Sequence, residues 1–219
     1  WSDGRKSARP LRTGLTRSIG PQSQNTDPML QVTPHGPITA IRLAKTVLGR
    51  PLHTVIAFVF DGLLIESGPP YTARELASWC QTQSIRQIVN THHHEDHSGG
   101  NAHLHRELGL PVYASPATAA LLADFPGIQL YRRIVWGHPR NLTVRALGDR
   151  LETEHYSLHV IATPGHCPDH VCLWEPRQGW LFSGDLFIHE RVRYLRVDED
   201  FGALIDSLQR VLALRPRWL

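Results

Sequence analysis

The apolar and polar positions of this chain become regular from about residue 36, where they predict strands followed by helices. The runs ITAIRLAK and HTVIAFVF are alternating or continuously apolar, as buried strands are, and LLIES follows after a turn at Asp61-Gly62. Apolar residues at helical spacing predict an amphipathic helix over residues 71–83. A strand, a helix, a strand and a helix follow, and these are RQIVN, residues 101–108, VYAS and PATAALLADF. This order is typical of βαβ units.

The second half of the chain predicts mainly strands. Residues 126–141 are rich in loop-forming residues. A last helix is predicted from about Glu199 to Leu214. Between the loop region and this helix lie four strand candidates, LTVRAL, LHVIAT, VCLWE and WLFSGD. Two halves rich in strands, each accompanied by helices, predict an α/β fold built as a layered sandwich.

The first 28 residues differ in character from the rest. They have no hydrophobic period and are rich in Arg, Ser, Gly and Pro, which predicts a disordered or non-native leader before a single domain at residues 29–219. Met29 is the only methionine, and we expect native translation to begin there. The alternative is an organelle transit peptide, because acidic residues are few in this stretch. Under that alternative the protein would be mitochondrial.

The composition is ordinary for a globular protein, with one exception. The 219 residues are 41% hydrophobic and 20% charged, and no run of 18 apolar residues predicts a membrane span. A net charge of +3 is weak evidence for nucleic-acid binding. Three cysteines are too few for a disulfide scaffold, so a reducing, cytoplasmic location is expected. The exception is the content of 14 histidines, several of which are clustered.

The densest histidine cluster is THHHEDHSGG, residues 91–100, at the end of a predicted strand. His92 and His94 are two positions apart, which in extended chain places both imidazoles on one side and forms half of a zinc site. Asp96 and His97 come after the turn, where they can face a second metal ion. A solvated polar loop would not need this density of imidazole and carboxylate, so the stretch predicts a metal site.

The neighbours of these residues have other expected roles. His93 and Glu95 point elsewhere by the same alternation, and we expect neither to bind metal. Gly99 and Gly100 would allow a tight backbone turn beneath the site.

Two later motifs also place metal-binding side chains at strand ends. His166 in ATPGHCPDH follows a predicted strand through a Pro-Gly turn and would supply a third imidazole to the first metal. Asp169 and His170 are expected to hold a ligand ring by hydrogen bonds. Asp185 in WLFSGDLF follows another apolar strand, where its carboxylate can bridge two metals.

In this order, the motifs THHHEDHSGGN, TPGH and SGD resemble those of the metallo-β-lactamase-fold hydrolase superfamily, from about residue 36 to the end. The resemblance implies an αββα four-layer sandwich with the metal site at one edge, between the two sheets. The ligands it implies are His92, His94 and His166 for a first zinc ion, Asp96 and His97 for a second, and Asp185 as the bridge.

The chain departs from the family pattern at two places. The family's early D-x-G motif is replaced by LLIESG, so Glu66 is expected to support the site as a structural carboxylate. The family usually has a last histidine on a strand after the helix that follows Asp185. Here that helix is FGALIDSLQRVLAL and the sequence ends at RPRWL, so we expect the fold to lack its last strand and helices. One metal would then bind tightly and the second weakly, with His189 as an unfavoured substitute ligand.

The chemistry implied by these motifs is hydrolysis. A zinc-bound water ionises near neutral pH, and the resulting hydroxide would attack an ester, thioester or lactam carbonyl. Asp96 would orient this nucleophile and accept its proton. The expected cofactor is one or two Zn²⁺ per chain, with Mn²⁺ or Fe²⁺ as alternatives. A nucleophilic role for the Cys167 thiol is disfavoured, because its neighbour His166 is expected to point into the site.

The substrate stays open at this point. THHHxDH resembles the hydroxyacylglutathione hydrolases, but the segment rich in Gly, Cys and Arg that follows their S/T-G-D motif is replaced by LFIHERVRYLRVDED. Tyr194 in this segment is interpreted as a strand residue. A small-molecule substrate is favoured, and the oligomeric state is not predicted.

Two other functions remain as alternatives. One is a lactamase-like endoribonuclease that binds RNA phosphates through an arginine set, which comprises Arg132, Arg133, Arg140, Arg191, Arg193 and Arg196. A solvated basic rim also explains these arginines and is preferred. The other alternative is an inactive metal-binding remnant.

Overall fold

The computed structural model of the protein describes residues 28–189, 196 and 199–219. The strands in this part of the chain are β1 (Pro28–His35), β2 (Ile38–Val47), β3 (Arg50–Phe60), β4 (Leu63–Ile65), β5 (Gln87–Val89), β6 (Val112–Ala114), β7 (Arg145–Ala146), β8 (Arg150–Glu152), β9 (Ser157–Ala162), β10 (Val171–Glu175) and β11 (Trp180–Phe182). The helices are α1 (Ala73–Cys80), α2 (Glu95–Ser98), α3 (Asn101–Leu108), α4 (Pro116–Ala123), α5 (Leu130–Val135) and α6 (Phe201–Ala213). Among these described helices, none is long and apolar enough to cross a membrane.

The strands form two sheets. One has seven strands in the order β1-β2-β3-β4-β5-β6-β7, and the other has four in the order β11-β10-β9-β8. Strands β1 to β4 are antiparallel, whereas β4 to β7 are parallel neighbours. The four-stranded sheet is antiparallel throughout.

Three apolar cores separate four layers. Helices α1 and α3 cover the outer face of the seven-stranded sheet, the inner faces of the two sheets meet in a second core, and α6 covers the outer face of the four-stranded sheet. Strand β4 is continuously apolar because both of its faces are buried. Leu64 packs in the first core, and Leu63 and Ile65 pack in the second. Each such fully buried side chain contributes about 2 kcal/mol. The αββα sandwich confirms the predicted fold class.

The βαβ pattern predicted from residue 36 is wrong for the first strands. β2 and β3 are joined by Leu48-Gly49, and β3 and β4 by Asp61-Gly62, with all four residues at positive φ. Two-residue turns of this kind connect antiparallel strands in a hairpin. Crossover helices therefore begin only after β4, where α1 leads to the parallel strand β5.

Strands β1 and β8 and helix α5 are among the elements that the hydrophobic pattern did not predict. Strand β1 is largely exposed and β8 is only three residues long, so neither carries a clear period. Helix α5 lies inside the predicted loop region 126–141. Contacts outside the helix hold it, since Tyr71 Oη donates to the Arg133 carbonyl at 3.2 Å and Lys45 Nζ to the Ile134 carbonyl at 3.3 Å.

Strand β1 and the segment after α6 lie at the two ends of the described residues. The predicted leader lies outside the described residues except for Pro28, which begins β1. Near the other end, Trp218 forms a parallel bridge with Trp180 of β11. Its carbonyl accepts the Leu181 N–H at 3.0 Å. The segment after α6 therefore pairs with the edge of the four-stranded sheet.

The Asp61 side chain ties the β3–β4 turn to the β8–β9 turn. Its Oδ2 accepts hydrogen bonds from Thr153 Oγ1 at 2.6 Å and the His155 backbone N–H at 2.7 Å, while Oδ1 lies 2.8 Å from His155 Nδ1. Burial alone would raise the Asp61 pKa, but the hydrogen bonds from Thr153 and His155 hold it at about 2.

We expect Asp61→Asn to lower the free energy of unfolding by about 1 kcal/mol at pH 7, the usual net value of such hydrogen bonds. Asparagine tolerates the positive φ of this position, so the change adds no backbone strain. The depressed pKa means that the carboxylate stabilises the fold above its ordinary value of 3.8 and that this contribution is lost as pH falls through about 2. Urea unfolding at pH 7, 4 and 2.5 should show the gap from wild type closing at the lowest pH.

The matched control for this turn is Asp206→Asn on the exposed side of α6, which should change stability by less than about 0.5 kcal/mol. Equal stability of wild type and Asp61→Asn at pH 7 would show that the contact between the turns contributes nothing.

Candidate metal centre

The predicted metal-binding side chains all follow strands at one edge of the sandwich. His92 and His94 lie in the loop after β5, and Asp96 and His97 belong to the short helix α2 that continues from it. The other two predicted ligands come from the facing four-stranded sheet. His166 follows β9, and Asp185 lies in a 3-10 turn over Gly184–Leu186, directly after β11.

Three imidazoles converge to form the first group. His94 Nδ1 lies 3.0 Å from His92 Nε2 and 3.0 Å from His166 Nε2. All three residues are buried, with exposed fractions of 0% for His92, 4% for His94 and 3% for His166. One ion can therefore be reached by the facing nitrogens of all three rings.

Hydrogen bonds on the far sides of the rings fix which nitrogens carry protons. Thr91 Oγ1 lies 2.6 Å from Glu66 Oε1, to which it donates, so it accepts from His92 Nδ1 at 2.9 Å. His166 Nδ1 lies 2.9 Å from Glu199 Oε1 and donates to this carboxylate. The Nε2 atoms of His92 and His166 are left with lone pairs that point into the group.

Asp96, His97 and Asp185 form the second group. His97 Nε2 lies 3.1 Å from Asp185 Oδ1 and 3.6 Å from Asp96 Oδ2. The other oxygen of Asp185 lies 3.3 Å from His166 Nε2, in the first group. Asp185 is thus the carboxylate that joins the two groups, in the position predicted for a bridging ligand.

The two groups have opposite electrostatic character. Burial, reinforced by the neighbouring imidazoles, lowers the pKa of His92 and of His94, so both rings stay neutral. Burial alone would also lower the His97 pKa, but the carboxylates around it, Asp185 first, raise it well above its ordinary value. His97 in turn holds the pKa of Asp185 low, although burial alone would raise it. Burial and the charge of Asp185 raise the Asp96 pKa.

This donor set fits a divalent metal. The lone pairs of His92 Nε2 and His166 Nε2 both face His94 Nδ1, and a cation between the three rings would be attracted to all of these nitrogens. The 3.0 Å separations are close to the value of about 3.3 Å for neighbouring ligand nitrogens around tetrahedral zinc. The second group offers two carboxylates and one imidazole, which are also ordinary ligands of zinc, iron or manganese.

Glu66 is a buried carboxylate that contacts the loop of the predicted ligands. It is 2% exposed and adopts a positive φ of 67°, a conformation that costs a non-glycine residue energy. Its carboxylate accepts from Thr91 N–H at 3.2 Å and Asn90 Nδ2 at 3.3 Å, and lies 3.4 Å from His97 Nδ1. One buried carboxylate therefore holds the loop that carries His92.

Asp169 and His170 hold the site differently from the prediction, which was contact with a ligand ring. Asp169 accepts the backbone N–H of His93 and lies 2.9 Å from His93 Nδ1, and His93 is the residue between two ligands. The His93 ring is therefore held by Asp169. Burial alone would raise the Asp169 pKa, but the hydrogen bonds that Asp169 accepts, from His93 first, lower this pKa to about 2. His170 Nε2 instead accepts the backbone N–H of Asp185 at 3.1 Å, and burial lowers the His170 pKa to about 3.

Gly99 and Gly100 are needed for close packing and not for a special turn. Their φ angles are −65° and −79°, which any residue adopts. A Cβ on Gly99 would lie 2.3 Å from Pro70 Cδ, and one on Gly100 would lie 2.3 Å from the Ser67 carbonyl oxygen. The end of α2 can approach the segment that follows β4 this closely only with glycine at both positions.

Sequence reasoning missed an ion pair beside the site. Glu95 is fully buried between two predicted ligands, and the Arg132 guanidinium binds it in a bidentate manner at 2.5 and 2.7 Å. Arg132 belongs to α5 and Glu95 to α2, so this ion pair connects the two helices. The positive charge of Arg132 also contributes to the low pKa of His94.

The remaining candidate residues have simpler outcomes. Arg133 and Arg140 are exposed, and His189 is exposed and outside the converging ligand groups found among residues 28–189, 196 and 199–219. Cys167 is buried, and burial raises the pKa of its thiol, so it is not an activated nucleophile. Those that lie outside the described residues are Arg191, Arg193 and Tyr194.

Comparisons with known proteins identify relatives of this chain. Residues 49–219 match the family described as the metallo-beta-lactamase superfamily. The hydroxyacylglutathione hydrolase of Rhodospirillum rubrum is 32% identical over 156 residues, which are 71% of this chain and 52% of that protein. The chain thus spans about half the length of the curated relatives it matches.

Solved structures share the fold. A metallo-beta-lactamase from Pontibacter korlensis is 23% identical, with a TM-score of 0.68 and coverage of 86% of this chain and 87% of that one. The protein TTHA1623, solved in a di-iron-bound form, is 30% identical, with a TM-score of 0.60 and coverage of 86% and 88%.

Proposed function

Since this chain belongs to the metallo-β-lactamase superfamily, we propose that it is a metal-dependent hydrolase of an ester, thioester or lactam carbonyl. The observation that carries the proposal is the convergence of His92, His94 and His166 at nitrogen separations of 3.0 Å, with Asp185 linking them to Asp96 and His97. A divalent metal held by these residues would activate water and polarise the substrate carbonyl.

The predicted ligands would have different roles in binding the metals and activating water. His92, His94 and His166 would hold the first metal, and Asp96 and His97 would hold the second. Asp185, with one oxygen toward each group, would fix the spacing between them. Asp96 is partly exposed at the rim of the second group, where it can orient the attacking water and accept its proton.

A small-molecule substrate is favoured over RNA. Arg132, a member of the proposed phosphate-binding set, is bound by buried Glu95 and is not available to a phosphate. Hydroxyacylglutathione hydrolases are among the relatives, so a hydroxyacylglutathione thioester is the first substrate to test. Zinc is the first metal to test, and iron the second because TTHA1623 was solved with two iron ions.

The test is activity of the purified chain after removal of its metals and reconstitution with Zn²⁺, Fe²⁺ or Mn²⁺. We expect one metal to restore hydrolysis of a hydroxyacylglutathione thioester, an aryl ester or a β-lactam, and chelation to abolish it. Single-stranded RNA is the comparison substrate. Metal-dependent cleavage of RNA alone would favour the nuclease alternative, and tight metal binding without any hydrolysis would favour an inactive remnant.

A further inference from the structure

Glu199 is a largely buried carboxylate to which the sequence motifs assign no role in the site. It lies two residues before α6, and its side chain is 12% exposed. Oε1 lies 2.9 Å from His166 Nδ1, and Oε2 accepts the Arg196 backbone N–H at 2.9 Å. Both oxygens are therefore engaged, and the orientation of the carboxylate toward the imidazole is fixed.

The opposite nitrogen of the same ring faces the candidate metal. His166 Nε2 lies 3.0 Å from His94 Nδ1 and 3.3 Å from Asp185 Oδ2. A carboxylate at Nδ1 requires the proton to be there, which leaves the Nε2 lone pair for a metal. We propose that Glu199 is a positioning residue that fixes the tautomer and orientation of His166 for metal binding. The inference rests on the proposed function, because it needs a metal at this group.

The start of α6 and the loop of His166 are held together at several points. The Asp200 N–H donates to the Gly165 carbonyl at 2.8 Å, and Ser207 Oγ donates to the Pro164 carbonyl at 2.7 Å. A Cβ on Gly165 would lie 2.5 Å from the Leu204 backbone, which shows how closely the two segments approach. The helix therefore carries Glu199 to a defined place, and α6 is part of the support of the metal site.

The other two ligand rings of this group are held in other ways. His92 is linked to Glu66 through the Thr91 hydroxyl, which lies between them. His94 faces the group with Nδ1, the nitrogen nearer the backbone. Removal of Glu199 should consequently affect one identifiable ligand.

The experiment compares the metal affinity of wild type, Glu199→Ala, Glu199→Gln and Asp206→Ala by competition with a chromophoric chelator, using Co²⁺ and Zn²⁺. We expect Glu199→Ala to bind the first metal about 10- to 100-fold more weakly, the usual effect of losing such a partner. Glu199→Gln should lose less, because its amide oxygen still accepts the Nδ1 proton. The Co²⁺ absorption spectrum should change in Glu199→Ala, because the ligand ring is no longer held.

Asp206→Ala is the matched control, since Asp206 is an exposed carboxylate on α6 and lies outside the ligand groups. It should leave metal affinity within about threefold and the stability of the metal-free protein nearly unchanged. Unchanged affinity in Glu199→Ala, or an equal loss in Asp206→Ala, would overturn the inference. Wild type that binds no metal would overturn the proposed function itself, and the inference with it.

Discussion

Replacing Asp185 by asparagine is expected to lower kcat/KM of the metal-reconstituted protein by at least about a thousandfold, which corresponds to about 4 kcal/mol of lost transition-state stabilisation. The carboxylate lies 3.1 Å from His97 Nε2 and 3.3 Å from His166 Nε2, so it is the side chain shared by the two ligand groups. Asparagine keeps the shape but replaces one anionic oxygen by an N–H donor and removes the negative charge. The measurement is steady-state hydrolysis together with metal content per chain.

Asp206→Asn on α6 is the control for this charge change, because Asp206 is exposed and outside the ligand groups. It should retain wild-type kcat/KM and metal content. Full activity of Asp185→Asn at wild-type metal content would contradict the bridging role. Loss of activity together with an unfolded circular dichroism spectrum would instead indicate that Asp185 is needed for the fold, so the spectrum of each variant is recorded first.

Gly165→Ala is expected to have the largest effect on stability, lowering the free energy of unfolding by about 3 kcal/mol and the melting temperature by about 6–12 °C. Gly165 has a φ of 140°, which side chains rarely allow, and a Cβ there would lie 2.5 Å from the Leu204 N and Cα atoms. Because these are backbone atoms, either α6 or the loop must move. The loop carries His166, so metal affinity should fall as well.

Gly127→Ala is the matched control for the glycine change. A Cβ at Gly127 would meet no atom within 4 Å, so this variant should melt within about 2 °C of wild type. Thermal melts followed by circular dichroism, with and without metal, compare the two variants. A Gly165→Ala protein as stable as Gly127→Ala would show that the α6 contact tolerates a methyl group.

The sequence predicted those parts of the site that depend on local spacing. His92 and His94 could be assigned to one side of the chain because the loop continues an extended strand. His166 and Asp185 could be assigned to the site because each follows an apolar strand. The structure brings these residues together with Asp96 and His97. Their role as ligands stays a prediction until a metal is measured.

Contacts between distant segments could not be predicted in this way. Glu199 is 33 positions from His166, and Arg132 is 37 positions from Glu95, so no spacing relates either pair. Asp169 was expected at a ligand ring, but the β9–β10 loop carries it to His93. The early strands were predicted as βαβ because buried antiparallel and parallel strands have similar apolar runs, and only the positive-φ turns at Leu48-Gly49 and Asp61-Gly62 distinguish them.

The most direct test is a zinc titration of the metal-free chain in competition with a chromophoric chelator. We expect one equivalent to bind tightly at the three histidines, and a second to bind more weakly at the group of Asp96 and His97. Substitution of His94 by alanine should remove the tight equivalent, because this ring faces both of the other imidazoles at 3.0 Å. Wild-type protein that binds no equivalent of zinc, or a tight equivalent that survives in His94→Ala, would contradict the assignment of this cluster as the metal centre.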